Sequence, residues 1–145
     1  MPGKDGWFAL NGSREGKASD ETWLGDVADG EVPTCRLDER IGDLADRVRA
    51  DGRDTCVVVN GGGIVLGILR KNALAADPAR RAEEVMSPGP KTFRPDVTLE
   101  ELLKFMREHD IKTNTLVTTS EGRLLGIISR VDAEATLSHD AEAAS

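Results

Sequence analysis

No apolar run in the chain approaches the roughly 18 residues that a membrane-crossing helix needs. The first residues also lack the basic-then-apolar order of a secretory signal. Both absences lead us to expect a cytoplasmic protein with no membrane partner. Positive charge is short as well: 19 Lys and Arg stand against 26 Asp and Glu, a formal net charge of −7. A surface with that balance repels phosphate backbones, so nucleic-acid binding is not expected. Small anionic ligands stay open, because a few local donors outweigh a diffuse field. Cysteine is scarce. Cys35 and Cys56 are too few and too far apart for a zinc site and read as reduced, buried thiols. His109 and His139 do not combine with them at any metal-ligand spacing. No nucleophile stands beside a base, so no enzyme is expected. What remains is 145 residues, 39% apolar and 31% charged, enough for one compact domain with a modest core.

The chain repeats itself. Arg36-Leu37-Asp38-Glu39-Arg40-Ile41-Gly42-Asp43-Leu44 lies over Arg94-Pro95-Asp96-Val97-Thr98-Leu99-Glu100-Glu101-Leu102 at a constant offset. Ile41, Leu44, Ala45 and Val48 recur as Leu99, Leu102, Leu103 and Met106, which is one face of an amphipathic helix twice over. Asp38 and Asp96 stand ahead of the helices where an N-cap is wanted, and Thr98 with Glu101 adds a capping-box pattern. A β-rich run follows each helix. Cys56 to Val59 leads through the turn Asn60-Gly61-Gly62-Gly63 into Ile64 to Leu69. Thr115 to Thr118 leads through a turn at Ser120-Glu121-Gly122 into Leu124 to Ile128. Both read as hairpins that share the tripeptide Leu-Gly-Ile, with the second copy's one extra residue placed in the turn. The glycine-rich turn lacks the Lys-Ser/Thr of a phosphate-binding P-loop and joins two strands.

Short extended segments precede the helices at Pro33 to Arg36 and Lys91 to Arg94, and second helices begin near Lys71 and Ser129. Each copy is therefore β-α-β-β-α, and the fold class is α+β with two such repeats related by a pseudo-two-fold axis. A unit of roughly 40 residues does not bury a core of its own, so the copies must pack on each other. The divisions are an N-terminal arm at 1–24, a first repeat at 25–80, a second at 81–138 and a disordered tail at 139–145. Trp7-Phe8-Ala9-Leu10 is expected to dock the arm through Trp7, and Thr22-Trp23-Leu24 to pack on the repeats. Deleting Met1 to Lys17 or His139 to Ser145 should leave the core folded. The apolar sides of Leu99, Leu103 and Met106, or of Ile41 and Val48, suggest a surface for a second copy and hence a homodimer.

With these features the sequence resembles the cystathionine-β-synthase-like (CBS) domain pair, or Bateman module, over roughly residues 25–137. The hallmarks are Glu84-Val85-Met86-Ser87 leading into Thr92, and Gly126-Ile127-Ile128-Ser129-Arg130-Val131-Asp132 at the last strand-helix junction. The resemblance implies a regulatory module that senses an adenosine compound (AMP, ADP, ATP or S-adenosylmethionine) in a cleft between the repeats. No covalent cofactor is implied, and Mg²⁺ is a candidate companion of the nucleotide. Two pairs of this family commonly associate into a flat dimer, and an effector protein not identifiable from the sequence would read the signal. The alternative is a ligand-free interaction scaffold whose sites have degenerated.

The resemblance assigns phosphate to Ser129 and ribose to Asp132, and the junction suits both. Free N–H groups at a helix start favour an anion, and a carboxylate one turn on can accept from two neighbouring hydroxyls. Ser-x-x-Asp is equally an ordinary helix cap. Arg130 is grouped with this site. The family borrows the base-contacting wall from the other repeat, which here gives Val32, Pro33 and Thr34 with Asp54 and Thr55 beside Arg53. In the first repeat Arg70 stands at the serine position and Ala73 at the aspartate position, so that junction cannot hold a ribose. Its degenerate pocket would comprise Arg70, Met86, Ser87, Ile111 and Lys112. Met86 reads as plain core, and Arg70 with Lys71 as solvated charge rather than a reach toward phosphates next door.

Overall fold

The computed structural model describes residues 22–144. The N-terminal arm before Thr22, with the expected docking of Trp7, lies outside them, as does Ser145. Helix α1 (Leu24–Val27) is followed by β1 (Thr34–Cys35), α2 (Ile41–Ala50), β2 (Cys56–Val59), β3 (Val65–Leu69) and α3 (Lys71–Leu74). The second copy runs α4 (Ala82–Val85), β4 (Ser87–Pro88), β5 (Thr92–Phe93), α5 (Leu99–Glu108), β6 (Asn114–Thr118), β7 (Leu124–Ser129) and α6 (Arg130–Ala144). Two sheets form, β1-β2-β3-β4 and β5-β6-β7. In each, the short first strand is parallel to the second and the hairpin is antiparallel. The expected α+β fold of two repeats is what the chain adopts.

Side-chain alternation along the hairpins builds the core in layers. Cys56 and Val58 face α2, where Ile41, Leu44 and Val48 meet them, while Val57 and Val59 face the other sheet. Val117 and Ile128 likewise pack on Leu99, Leu102, Leu103 and Met106, and Leu116 and Ile127 join Val57, Val32 and Ile68 between the sheets. The hairpin tips are stitched together as well. Val65 N–H donates to Gly122 O and Leu124 N–H to Gly63 O, both at 3.0 Å. The helix faces offered above as a dimer surface are consumed here: Ile41, Val48, Leu99, Leu103 and Met106 are at most 1% exposed. They present nothing to a second copy.

The repeats exchange segments. Leu24 of α1, which precedes the first repeat, is fully buried among Leu99, Leu102 and Met106 of the second. Ala82 of α4, which opens the second, is buried among Ile41 and Leu44 of the first. The exchanged backbone also caps the long helices. Ile41 N–H donates to Arg80 O (2.9 Å) and Gly42 N–H to Pro78 O (3.1 Å), while Leu99 N–H donates to Thr22 O (2.7 Å). Orphan N–H groups of a helix start are thereby satisfied from outside the helix. The sequence boundaries at 24/25 and 80/81 divide the chain but not the packing, and Thr22-Trp23-Leu24 packs on the second repeat.

Three local expectations need correction. Asp38 and Asp96 are not caps: α2 starts after Arg40, whose side chain makes no cap bond, and α5 starts after Thr98. Thr98 and Glu101 do form the capping box, with reciprocal backbone bonds of 3.2 Å. The extra residue of the second copy is not in the hairpin. Gly63 and Gly122 occupy matching turn positions at φ 83° and 90°, and each turn closes with one N–H to the carbonyl three residues back. The insertion falls between α5 and β6 instead, where a loop absorbs it without shifting the register. Finally, α6 continues over His139–Ala144, which the sequence suggested as a disordered tail. Its alanine and glutamate content favours helix.

Candidate ligand-binding cleft

A cleft of about 220 Å³ opens where four segments converge. They are the crossing loop after α1 (Asp29, Val32), the α2–β2 turn (Gly52 to Thr55), the start of β6 (Asn114) and the β7–α6 junction (Ile127, Ser129, Asp132). Val32 and Ile127, nearly buried, are the apolar walls. The α2–β2 turn is sharp because Gly52 takes φ 73°, while Gly52 N–H and Arg53 N–H close on Arg49 O and Val48 O. That turn delivers Arg53, Asp54 and Thr55 to the mouth.

The crossing loop explains the shared Leu-Gly-Ile. Asp29 and Ile127 exchange backbone hydrogen bonds of 2.8 and 3.1 Å, laying Asp29 across Gly126. A Cβ on Gly126 would stand 2.8 Å from Asp29 O; on Gly67 it would stand 2.5 Å from Met86 Sδ and 3.0 Å from Ser87 O. Only glycine lets the exchanged backbone pass so close.

Ser129 ends β7 and caps α6, its Oγ accepting the Asp132 N–H at 3.1 Å. The Asp132 carboxylate is exposed, lines the cleft, and has no hydrogen-bond or ion-pair partner among the described residues. Opposite it, Asp29 accepts from Glu31 N–H (2.9 Å) and from Arg53 Nη2 (2.5 Å). The Glu31 bond first, and Arg53 second, hold its carboxyl below the usual carboxylate range. The Thr55 hydroxyl donates to Asp54 at 3.2 Å.

Of the residues expected at this site, Ser129, Asp132, Val32, Asp54 and Thr55 are brought together. Arg130 turns elsewhere: its Nε donates to Glu134 (3.2 Å) and its Nη1 to Ile111 O (3.1 Å). Pro33 and Thr34 do not line the cleft. Pro33 O accepts Val57 N–H, and Thr34 O accepts Arg47 Nη2 at 2.7 Å. Sequence reasoning left out Asp29 and Asn114 as site residues, and Arg53 as an ion-pairing one.

The residues of the degenerate pocket scatter. Met86 is half-buried against the first core and Ser87 pairs with Ile68 in β4. Ile111 packs on the second core, while Lys112 Nζ lies 3.7 Å from Asp110 in solvent. Arg70 is half-buried rather than solvated, with Nη1 donating to Thr113 Oγ1 (3.3 Å) and to Asn114 Oδ1. The thiols Cys35 and Cys56 are free and buried together in the first core, and the Cys56 thiol and burial push Cys35 up. Among the described residues no His, Cys, Asp and Glu group is disposed to hold a metal, and no helix is long and apolar enough to cross a membrane.

Residues 82–137, the stretch from α4 into α6, match the CBS domain family. The chain as a whole has the fold of a CBS domain pair. It is similar to the cytosolic domain of the Mg²⁺ channel MgtE in complex with ATP, at 28% identity and a TM-score of 0.71 over 79% of this chain. It spans 48% of that longer domain. Two further solved structures share the fold at lower identity. One is the CBS domain pair of MJ0100 in complex with 5′-methylthioadenosine and S-adenosylmethionine (19%, TM-score 0.72, 82% of this chain and 98% of that one). The other is CBSX2 in complex with AMP (15%, TM-score 0.72, 81% and 96%). Comparison with curated protein sequences returns no match.

Proposed function

We propose that the chain is a regulatory, non-catalytic module that binds an adenosine compound in the Asp132 cleft. The observation that carries this reading is the division of labour at the β7–α6 junction. Ser129 alone caps the helix, which leaves the Asp132 carboxylate unpartnered at the mouth of a cleft with apolar walls. A ribose diol satisfies it, the purine slots between Val32 and Ile127, and the Ser129 hydroxyl retains a proton to donate to a 5′ group. The ligands named with the similar structures, ATP, AMP and S-adenosylmethionine with 5′-methylthioadenosine, share the adenosine moiety this geometry suits.

On this reading the first-repeat junction is silent, because Ala73 offers no carboxylate. The units of regulation are the repeats 25–80 and 81–138, the setting is cytoplasmic, and an effector protein reads the bound state. Mg²⁺ accompanies the ligand only where a polyphosphate brings it. A homodimer now rests on Val131, 72% exposed at the start of α6; light scattering that gives the 15.6 kDa monomer mass at tens of micromolar removes it.

The test is calorimetric titration with adenosine, AMP, ATP and S-adenosylmethionine, repeated on Asp132→Ala. Bonds to a charged group contribute roughly 1.5–3 kcal/mol, and about 1.4 kcal/mol is one decade of affinity. The variant should lose ten- to a hundredfold in affinity. Unchanged affinity sinks the assignment, and no response to any of the four compounds leaves the ligand-free scaffold.

A further inference from the structure

The one half-buried arginine without an anionic partner among the described residues belongs to the repeat that lost its own site. Arg70 stands before α3 with its side chain half-buried, and both of its hydrogen-bond partners, Thr113 and Asn114, are neutral. Other half-buried arginines differ: Arg53 is paired with Asp29 and Arg130 with Glu134. Arg70 has no carboxylate within ion-pair distance among the described residues, and burial lowers its pKa. Removing a guanidinium from water without an anion is costly. Its Nε and Nη2 make no hydrogen bond among the described residues, so a fork of donors is unused.

The position of this charge is informative. Asn114, which Arg70 grips, lines the cleft and is the register partner of Ser129 across the β6–β7 ladder. Directly opposed residues of an antiparallel pair are neighbours. The Arg70 guanidinium is therefore held one side chain back from the cleft, on Asn114, the strand partner of Ser129, and does not itself line it.

We propose that Arg70 is a specificity-determining residue of the Asp132 cleft, reading an anionic 5′ group, a phosphate by chemistry, across the boundary between the repeats. The inference rests on the adenosine reading above and sharpens it. The serine-to-arginine departure in the first repeat then supplies the cation that the second junction lacks, because Arg130 is held by Glu134 and Ile111 O. Other charges in the cleft are accounted for. Asp29 is neutralised by Arg53, Asp132 is taken by the ribose, and Asp54, whose charge offsets part of the effect of burial on Arg70, is the opposing carboxylate among the described cleft residues. Bidentate contact with a phosphate suits guanidinium better than ammonium.

The experiment compares adenosine with AMP on the wild type, Arg70→Gln and Arg70→Lys, with the melting temperature of each and with salt as a second variable. In Arg70→Gln, AMP affinity should fall about tenfold or more while adenosine affinity stays within about twofold. Arg70→Lys should recover part of the loss. In the wild type, AMP affinity should weaken from low to high salt and adenosine affinity should not. Equal losses for both ligands, no loss for either, or a salt-independent AMP affinity in the wild type overturns the role of Arg70 and leaves the adenosine reading standing. A wild type that binds neither compound removes the adenosine reading itself. Should Arg70→Gln fail to fold, the salt series and Arg70→Lys still decide.

Discussion

The N–H of Asp132 donates to the hydroxyl of Ser129 across 3.1 Å, while the Asp132 carboxylate takes no part in the cap. The two residues are thus separable by mutation. Ser129→Ala should lower stability by about 0.5–2 kcal/mol, the usual cost of losing an N-cap. Asp132→Ala should leave stability nearly unchanged. Urea unfolding of both variants checks this, and a larger loss for Asp132→Ala would return the carboxylate to a structural role.

Gly126 lies under the crossing backbone of Asp29, and a methyl group there meets Asp29 O at 2.8 Å. Backbone cannot swing aside as a side chain does. Gly126→Ala should cost on the order of 1–3 kcal/mol, the range for overpacking, and should open the cleft by lifting Asp29. Gly67→Ala meets the end of Met86 first, so part of its strain relaxes and its loss should be smaller. Paired denaturation curves rank the two.

Leu24, fully buried against the second repeat, should cost about 2–5 kcal/mol on truncation to alanine. A chain lacking residues 22–30 also loses the Leu99 N–H cap and the Asp29–Ile127 pairing. It should unfold without a cooperative transition, as monitored by circular dichroism on heating.

These three expectations divide what was legible in the sequence from what was not. The helix faces, the hairpins and the pairing of Ser129 with Asp132 follow from spacing within a few residues. Capping by Asp38 misled because the true partner of that helix start is the carbonyl of Arg80, far along the chain. Asp29 was missed for the same reason: nothing within reach of it in sequence indicates that it crosses Gly126. Asn114 carries no motif, and its role arises from facing Ser129 across a ladder. Non-local register is set by packing, and one chain read alone holds no trace of it.

Asp29 is held ionised by the Glu31 N–H and by Arg53, so it binds its proton less readily folded than unfolded. Its contribution is present above the usual carboxylate range and is lost as pH falls through its lowered folded value. The pair is partly exposed, which keeps the effect below about 1 kcal/mol. Asp29→Asn should lower the melting temperature at pH 7 and match the wild type in strong acid. A constant difference across that range would contradict the linkage.

Thr115 Oγ1 in β6 is buried without a hydrogen-bond partner, at the position that Cys56 holds in the first repeat. An orphaned hydroxyl costs roughly 1–3 kcal/mol, and valine fills nearly the same volume. Thr115→Val should raise the melting temperature, and a fall would mean that the hydroxyl is satisfied in solution.

The exchange of α1 and α4 between the repeats has a consequence in time. The segment from Leu24 to Asp29 is made well before its partners Val97 and Ile127 in the second repeat. Contacts that distant close slowly and cannot reward the chain until most of it exists. A nascent chain that stops short of Leu124 therefore carries Leu24 uncovered and no Ser129–Asp132 junction. The cleft proposed for the ligand is therefore assembled in one step, when β7 joins its sheet.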